Sequence, residues 1–486
     1  LDFADFLLGM PQQATVQYTD EVVLKGRAFN LFVQDDWRWR GNLTLNLGAR
    51  YEAVRPYTEA NGQMVNLDVA PDFTGAVPVM SGESGIYTGA FPAALVYGDY
   101  NNIAPRVGLA WRMSPRTVVR GGYSIGFNNG AYSSIARQLT AQPPFAVTNT
   151  ALGSASESLT MSDPFATVAP DATTNNFGID KNYKLGVIHT WNVDMDHNLF
   201  RGWQLGGGYT ATRGALLDLL RAPNRDPLGL RIEGVQPFIW QSSEGSSLLH
   251  AGTIRLRRQQ SRGIAGQINY TIARSMDDAS SIGGGARVVA QNDRDLEAEW
   301  GRSSFDQLHQ LSANLSVELP FGANRQWLNQ GGPWAAMLTD WTLSASFTSA
   351  SGNPFTARIL GAASDVARGT YGTLRADYSG DQIGIDDPDL LQFFNTSAFA
   401  LPPPGRFGSA GRNTIVGPAN MQFDASIGRD VRLTNNQTIS IRVQGTNLLN
   451  TVRFGGIDTT VNSPTFGQVV SIRPMRSVGL NVRFRF

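Results

Sequence analysis

Gly122-Tyr123-Ser124-Ile125-Gly126 spells the G-x-S-x-G pattern of a hydrolase nucleophile within a chain of 486 residues. That chemistry needs a sharp strand-to-helix turn that lifts the serine hydroxyl toward a base. Here Gly122, Ser124 and Gly126 alternate with Tyr123 and Ile125 along one extended run, so the serine reads as part of a wet strand face. The four histidines, His189, His197, His250 and His309, are scattered without metal-ligand spacing and read as residues of strand ends and turns. The sequence holds no cysteine, which removes thiolate chemistry and disulfides. Acidic runs at Asp293, Asp295, Glu297 and Glu299, and at Asp381, Asp386, Asp387 and Asp389, offer the oxygen ligands that calcium takes. Neither has EF-hand spacing, and solvated loops are the preferred reading. No catalytic, cofactor-binding or metal-binding residue is expected, and the chain is not read as an enzyme.

The arginines carry a different possibility. Arg50, Arg120, Arg255, Arg257, Arg442, Arg483 and Arg485 all fall on the polar side of alternating runs. They could draw an anionic ligand or pair with acids on the same side, and pairing is preferred because buried charges must be balanced. Acidic and basic residues are equal in number, so the chain has no electrostatic motive for binding nucleic acid.

The elements that position these side chains are strands. Apolar residues recur at every second position in segments of roughly ten residues from one end of the chain to the other. Leu43, Leu45, Leu47, Ala49 and Tyr51 oppose Thr44, Asn46, Gly48, Arg50 and Glu52. The pattern returns around Val107 to Trp111, Val119 to Phe127, Leu185 to Met195, Trp203 to Tyr209, Ile254 to Leu256 and Ile264 to Ile272. It continues at Leu311 to Val317, Trp341 to Phe347, Met421 to Ile427, Ile439 to Val443 and Val478 to Phe486. With weaker runs at 13–18 and 27–36, about fourteen strands are expected.

Their connections alternate. Short links near 37–41, 113–117, 197–202, 259–263 and 431–437 separate long ones near 53–103, 128–182, 213–247, 276–307, 351–419 and 449–474, with 320–339 intermediate. Tight turns at one end and large loops at the other are the signature of an antiparallel, up-and-down β-barrel that spans the outer membrane. No apolar run reaches the eighteen or so residues of a membrane helix, whereas a barrel strand hides its lipid-facing residues in alternation.

Energetics agrees, because a lysine or arginine facing mid-bilayer lipid costs roughly 2 to 4 kcal/mol and the apolar faces above carry none. His189 interrupts one such face between Val187 and Trp191; a β-bulge is the preferred explanation and a neutral imidazole the alternative. Trp111, Trp191, Trp203, Trp341 and Tyr51 lie toward strand ends, as interfacial girdles require.

The last strand places Val478, Leu480, Val482, Phe484 and Phe486 on one face, which resembles the C-terminal signal read by the barrel assembly machinery. Other stretches resemble the Oar-like branch of TonB-dependent receptors, whose members carry a carboxypeptidase-regulatory-like domain. These are Asp5-Phe6-Leu7-Leu8-Gly9, Val33-Gln34-Asp35-Asp36-Trp37, Leu43 to Glu52, Asn102 to Gly108 and Tyr270 to Ala279. Leu319 to Gly322, Ser351 to Phe355, Gly411-Arg412-Asn413 with Gly417-Pro418, Asn447 to Asn450 and Phe454-Gly455 continue the series in order.

The resemblance implies a barrel of about twenty-two strands around an N-terminal plug, energised through a TonB complex. Against that pattern, residues 1–486 are expected to be the C-terminal portion of one barrel domain. The plug and first strands would lie upstream, as would an export signal, since the chain opens on Leu1 without one. The expected function is that of an outer-membrane receptor-transporter segment in a Gram-negative bacterium, importing an unidentified extracellular ligand and bounded by outer-membrane lipid. The alternative is a surface-display or adhesion barrel without active transport.

Overall fold

In the computed structural model the strands expected from alternation form one continuous antiparallel wall. The structure describes residues 9, 13–19, 21–152, 175–200, 202–227, 229–232, 234–235, 237–261, 263–278, 290–322, 325–359, 374–434 and 436–486. The Asp5 to Leu8 landmark and Ala279 lie outside these residues. Thirteen strands follow one another in chain order. They are β1 (Ala28–Arg40), β2 (Leu43–Val54), β3 (Ile103–Ser114), β4 (Thr117–Phe127), β5 (Val187–Asn198), β6 (Trp203–Arg221) and β7 (Ile239–Ser261). Then come β8 (Ile264–Asp277), β9 (His309–Glu318), β10 (Trp341–Ala350), β11 (Asn420–Arg432), β12 (Thr438–Thr446) and β13 (Ser477–Arg485). Phe177–Ile179 lies parallel beside β7 and Gly301–Arg302 antiparallel beside β8.

Every wall pairing is antiparallel between consecutive strands, and the register keeps apolar residues on one face. Leu47, Val107 and Tyr123 are successive cross-strand partners, as are Val317, Leu343, Ile427, Val443 and Leu480. Leu47, Val107, Val193, Ile254, Ile268, Leu315 and Leu480 of this face are exposed. An apolar row left bare along a whole sheet fits lipid contact and not a soluble core.

The buried apolar core sits instead among the long connections. Met64, Phe91, Leu95 and Val96 from the β2–β3 connection pack with helix α1 (Ala131–Thr140) and with Phe177, Ile179, Tyr183 and Leu185. Tyr132, Ile135, Ala136 and Leu139 are the buried face of α1, at the i, i+3, i+4, i+7 spacing of an amphipathic helix. A second cluster joins Ala357, Ala376, Phe394, Phe399 and Ile415 to Ile457. A third joins Leu67, Val69 and Ala76 to Ile232 and Phe238. The loops thus form a cap with cores of its own.

Three expectations are corrected. The run at 13–18 is a strand, Gln13–Thr19, but it pairs with Ala146–Leu152 away from the wall. The link expected at 213–247 shrinks, because β6 and β7 continue to Arg221 and back from Ile239 as a projecting ribbon. No bulge occurs at His189, whose register to Ile125 and Arg213 is unbroken, so the imidazole stands on the apolar face. The register also puts Asp35 of β1 on that face, opposite Leu47, with no side-chain partner among the described residues.

Candidate ligand-binding site

The inward face of β4 to β8 carries the first polar constellation. Arg120 Nη1 lies 2.7 Å from Asp196, and Arg255 Nη2 lies 2.9 Å from Asp194 and 3.7 Å from Asp196. With Arg257, Gln204 and Gln267 these groups line a cavity of about 480 Å3. Glycine makes room for them. A Cβ on Gly208 would come within 2.3 Å of the Asp194 carboxylate, and one on Gly206 within 2.8 Å of Asp196. Arg50 likewise pairs with Glu52 at 2.6 Å. Pairing, the preferred reading of the inward arginines, holds for Arg50, Arg120 and Arg255. Arg257, Arg442, Arg483 and Arg485 have no ion-pair partner among the described residues, and the last three line the inner wall beside Arg432 and Asp430.

A second constellation sits in the cap. Arg412 is wholly buried, donates from Nη2 to Asp277 Oδ1 at 2.5 Å and from Nε to the Glu299 carbonyl at 2.8 Å. Glu299 in turn accepts from Arg375 Nη1 at 2.7 Å and from the Gln291 N–H at 2.8 Å. Arg221 forks onto Asp293 at 2.6 and 3.1 Å and reaches Glu244 at 2.6 Å. These bonds hold the connections after β6, β8 and β10 to one another. Gly352 serves the same cap, for a Cβ there would overlap the Gly417 carbonyl.

Between them opens a cleft of about 740 Å3, within the size range of small-molecule sites. Arg225, Arg231, Arg294, Arg375 and Arg406 line it against Asp226, Asp293 and Asp295. Asp293 is held by Arg221, Arg375 by Glu299 and Arg406 by Asp377, and the lining sets five arginines against three aspartates. Burial pulls the Arg225 guanidinium down to about 10, opposed by Glu299, so it remains charged at neutral pH. The arrangement can receive an anion or a hydrogen-bond-rich polar molecule.

Four members of the acidic runs are engaged within the cap. Asp293 and Glu299 are ion-paired, Asp295 accepts from the Ala298 N–H, and Asp389 accepts from the N–H groups of Leu391 and Gln392. Among the described residues no three His, Asp or Glu converge as metal ligands. Ser124 lies mid-strand in β4 on the inward face, whereas His189 of the neighbouring strand faces outward. Sequence reasoning missed the cleft, because its arginines come from three separate connections. The usable signal was the Gly411-Arg412-Asn413 landmark, whose members bond to Asp277 of another landmark and to Arg302.

The sequence matches the outer membrane beta barrel domain family over residues 1–478. The chain belongs to that family. The exposed apolar face is thus the lipid-facing surface, the short turns are periplasmic, the cap is extracellular, and the protein resides in a Gram-negative outer membrane. No match is found among curated proteins.

Solved structures that it resembles include the Pseudomonas aeruginosa ferripyoverdine receptor, at 11% identity and TM-score 0.47, covering 96% of this chain and 39% of that one. The Escherichia coli outer membrane transporter YddB follows at 10% and 0.46, covering 97% and 54%. The Yersinia pestis ferric yersiniabactin uptake receptor stands at 10% and 0.44, covering 98% and 48%. The chain spans about half the length of these proteins or less.

Proposed function

We propose that the chain is the ligand-receiving, C-terminal portion of a TonB-dependent receptor-transporter of the Oar-like branch. The observation that carries the reading is the arginine-lined extracellular cleft set above a wall whose inner face bears charged, partly unpaired side chains. The ligand would be captured in the cleft and handed to the lumen. Arg442, Arg483 and Arg485 would face an acidic partner there, supplied by a plug elsewhere in the complete protein. The ordered sequence landmarks support the same assignment.

The wall itself supports a longer barrel. β1 bonds only to β2 and β13 only to β12 among the described residues, and lipid cannot satisfy the backbone groups of two bare edges. Further strands would close it, giving residues 1–486 the role of one part of a single barrel domain. The outward row Val478, Leu480, Val482, Phe484 and Phe486 would be the signal for the barrel assembly machinery.

Transport is tested in cells carrying the full-length protein. Accumulation of a bound anionic solute should stop when the proton-motive force is collapsed, and Arg225→Ala should weaken surface binding about tenfold, or 1.4 kcal/mol. Binding without accumulation, indifferent to the proton-motive force, would sink the transport reading and leave a display barrel.

A further inference from the structure

Three of the four histidines stand on the lipid-facing side, each bonded through Nδ1 to a tyrosine hydroxyl of the preceding strand. Tyr123 meets His189 at 2.8 Å, Tyr209 meets His250 at 2.6 Å and Tyr270 meets His309 at 2.8 Å. In each pair the rings stack, with interplanar angles of 28°, 25° and 16°. The residue directly across the next strand completes the unit: Arg213 for His189, Arg274 for His250, and Ser351, whose backbone N–H donates to the His309 carbonyl at 2.9 Å. A Tyr–His pair therefore recurs three times around the wall, with an arginine across the next strand in the first two.

The repeats share one height. Each steps two residues toward the periplasm for every two strands crossed, the sense in which tilted strands run down a barrel. His189, His250 and His309 accordingly lie nine, eleven and nine residues before their periplasmic strand ends at Asn198, Ser261 and Glu318. At about 3.3 Å per residue and a tilt near 40°, that is roughly 25 Å, the height of the apolar band. The belt marks the outer-leaflet headgroup level.

Its charge is positive. Arg213 is exposed and its guanidinium has no ion pair or hydrogen bond among the described residues. Arg274 and Arg302 share a single carboxylate, Asp306, at 3.0 and 2.9 Å. Arg213 and Arg274 sit two strands apart, about 10 Å between backbones, and each histidine keeps Nε2 free of any described partner.

We propose that this belt docks the phosphate-bearing headgroup of an outer-leaflet glycolipid, with Arg213 and Arg274 on the phosphates and the histidine Nε2 atoms on neighbouring oxygens. The inference concerns the outer face and is independent of the transport reading. It is tested by native mass spectrometry of the full-length protein in detergent, using diphosphoryl lipid A, its dephosphorylated counterpart and inorganic phosphate as separate probes. The diphosphoryl lipid should be retained at least about tenfold better than the dephosphorylated one, and Arg213→Gln should remove most of that preference. Arg213 has no internal partner, so this variant keeps the test valid if Arg274→Gln upsets folding. Equal retention of the two lipids, equal binding of inorganic phosphate alone, or no effect of Arg213→Gln overturns the proposal. So does histidine protection from carbethoxylation that follows protein concentration and not lipid, the result expected of a second copy.

Discussion

Arg412 is the residue on which the cap converges. Its guanidinium joins Asp277 at the top of β8 to Glu299 with no solvent contact. Arg412→Ala takes the buried guanidinium away from the Asp277 carboxylate, and losing one partner of a buried pair costs about 3 to 5 kcal/mol. The cap should then be cut rapidly by trypsin in intact cells while the wall resists; unchanged cutting would show that the pair carries no such weight. Arg412→Lys should fall between, because one ammonium cannot reach both acceptors.

His189 teaches the complementary lesson. From local sequence an imidazole on an apolar face reads as a slip of register, since a lone polar group in hydrocarbon is costly. Its partner Tyr123 lies on another strand 66 residues away, a distance that periodicity does not see.

At the scale of elements, alternation made the wall legible: Leu43 to Tyr51 and Val478 to Phe484 fall on the expected face in β2 and β13. The projecting ribbon was not legible. Asp218 and Glu244 fall within the link expected at 213–247, yet they belong to strands that stand above the bilayer, where Asp218 accepts from Tyr183 and Glu244 from Arg221. The cap cores were hidden for a related reason, as buried residues such as Met64, Leu95 and Phe177 follow no single period.

Carboxylates in these connections give the cap a pH dependence. Burial raises the Glu59 carboxyl, but the N–H groups of Gln63, Val23 and Asn61 outweigh it and hold it below its ordinary value. Burial likewise opposes, and Arg406 overcomes, at Asp377; at Asp458 burial is overcome by Ser463, Thr460 and Thr465. A depressed carboxyl stabilises the fold above its unfolded pKa, and that contribution is lost as pH falls through the folded value. Protection factors for amide exchange in the connections, taken relative to the intrinsic rate at each pH, should therefore fall below pH about 4, while wall amides stay protected. Cap protection that is flat from neutrality down to that acid range would contradict these assignments.

For the whole molecule, the decisive quantity is assembly into the membrane. β13 is exposed along its full length, and the Phe484 and Phe486 rings sit 5.8 Å apart at its end. Deleting Phe486 should reduce the heat-modifiable, membrane-inserted form severalfold in cells without changing synthesis. An undiminished inserted fraction would remove the C-terminal row from its proposed role.

The bond between Arg412 and Asp277 spans 135 residues, and that between Asn66 and Ile179 spans 113. The wall needs only neighbouring hairpins, so its contacts are local and quick to form; the cap's bonds skip whole hairpins and must wait. Viewed as a timetable, the cleft is a late arrival: the wall can close hairpin by hairpin, and only when the connection after β10 folds back over β8 does Arg412 meet Asp277 at the outer mouth.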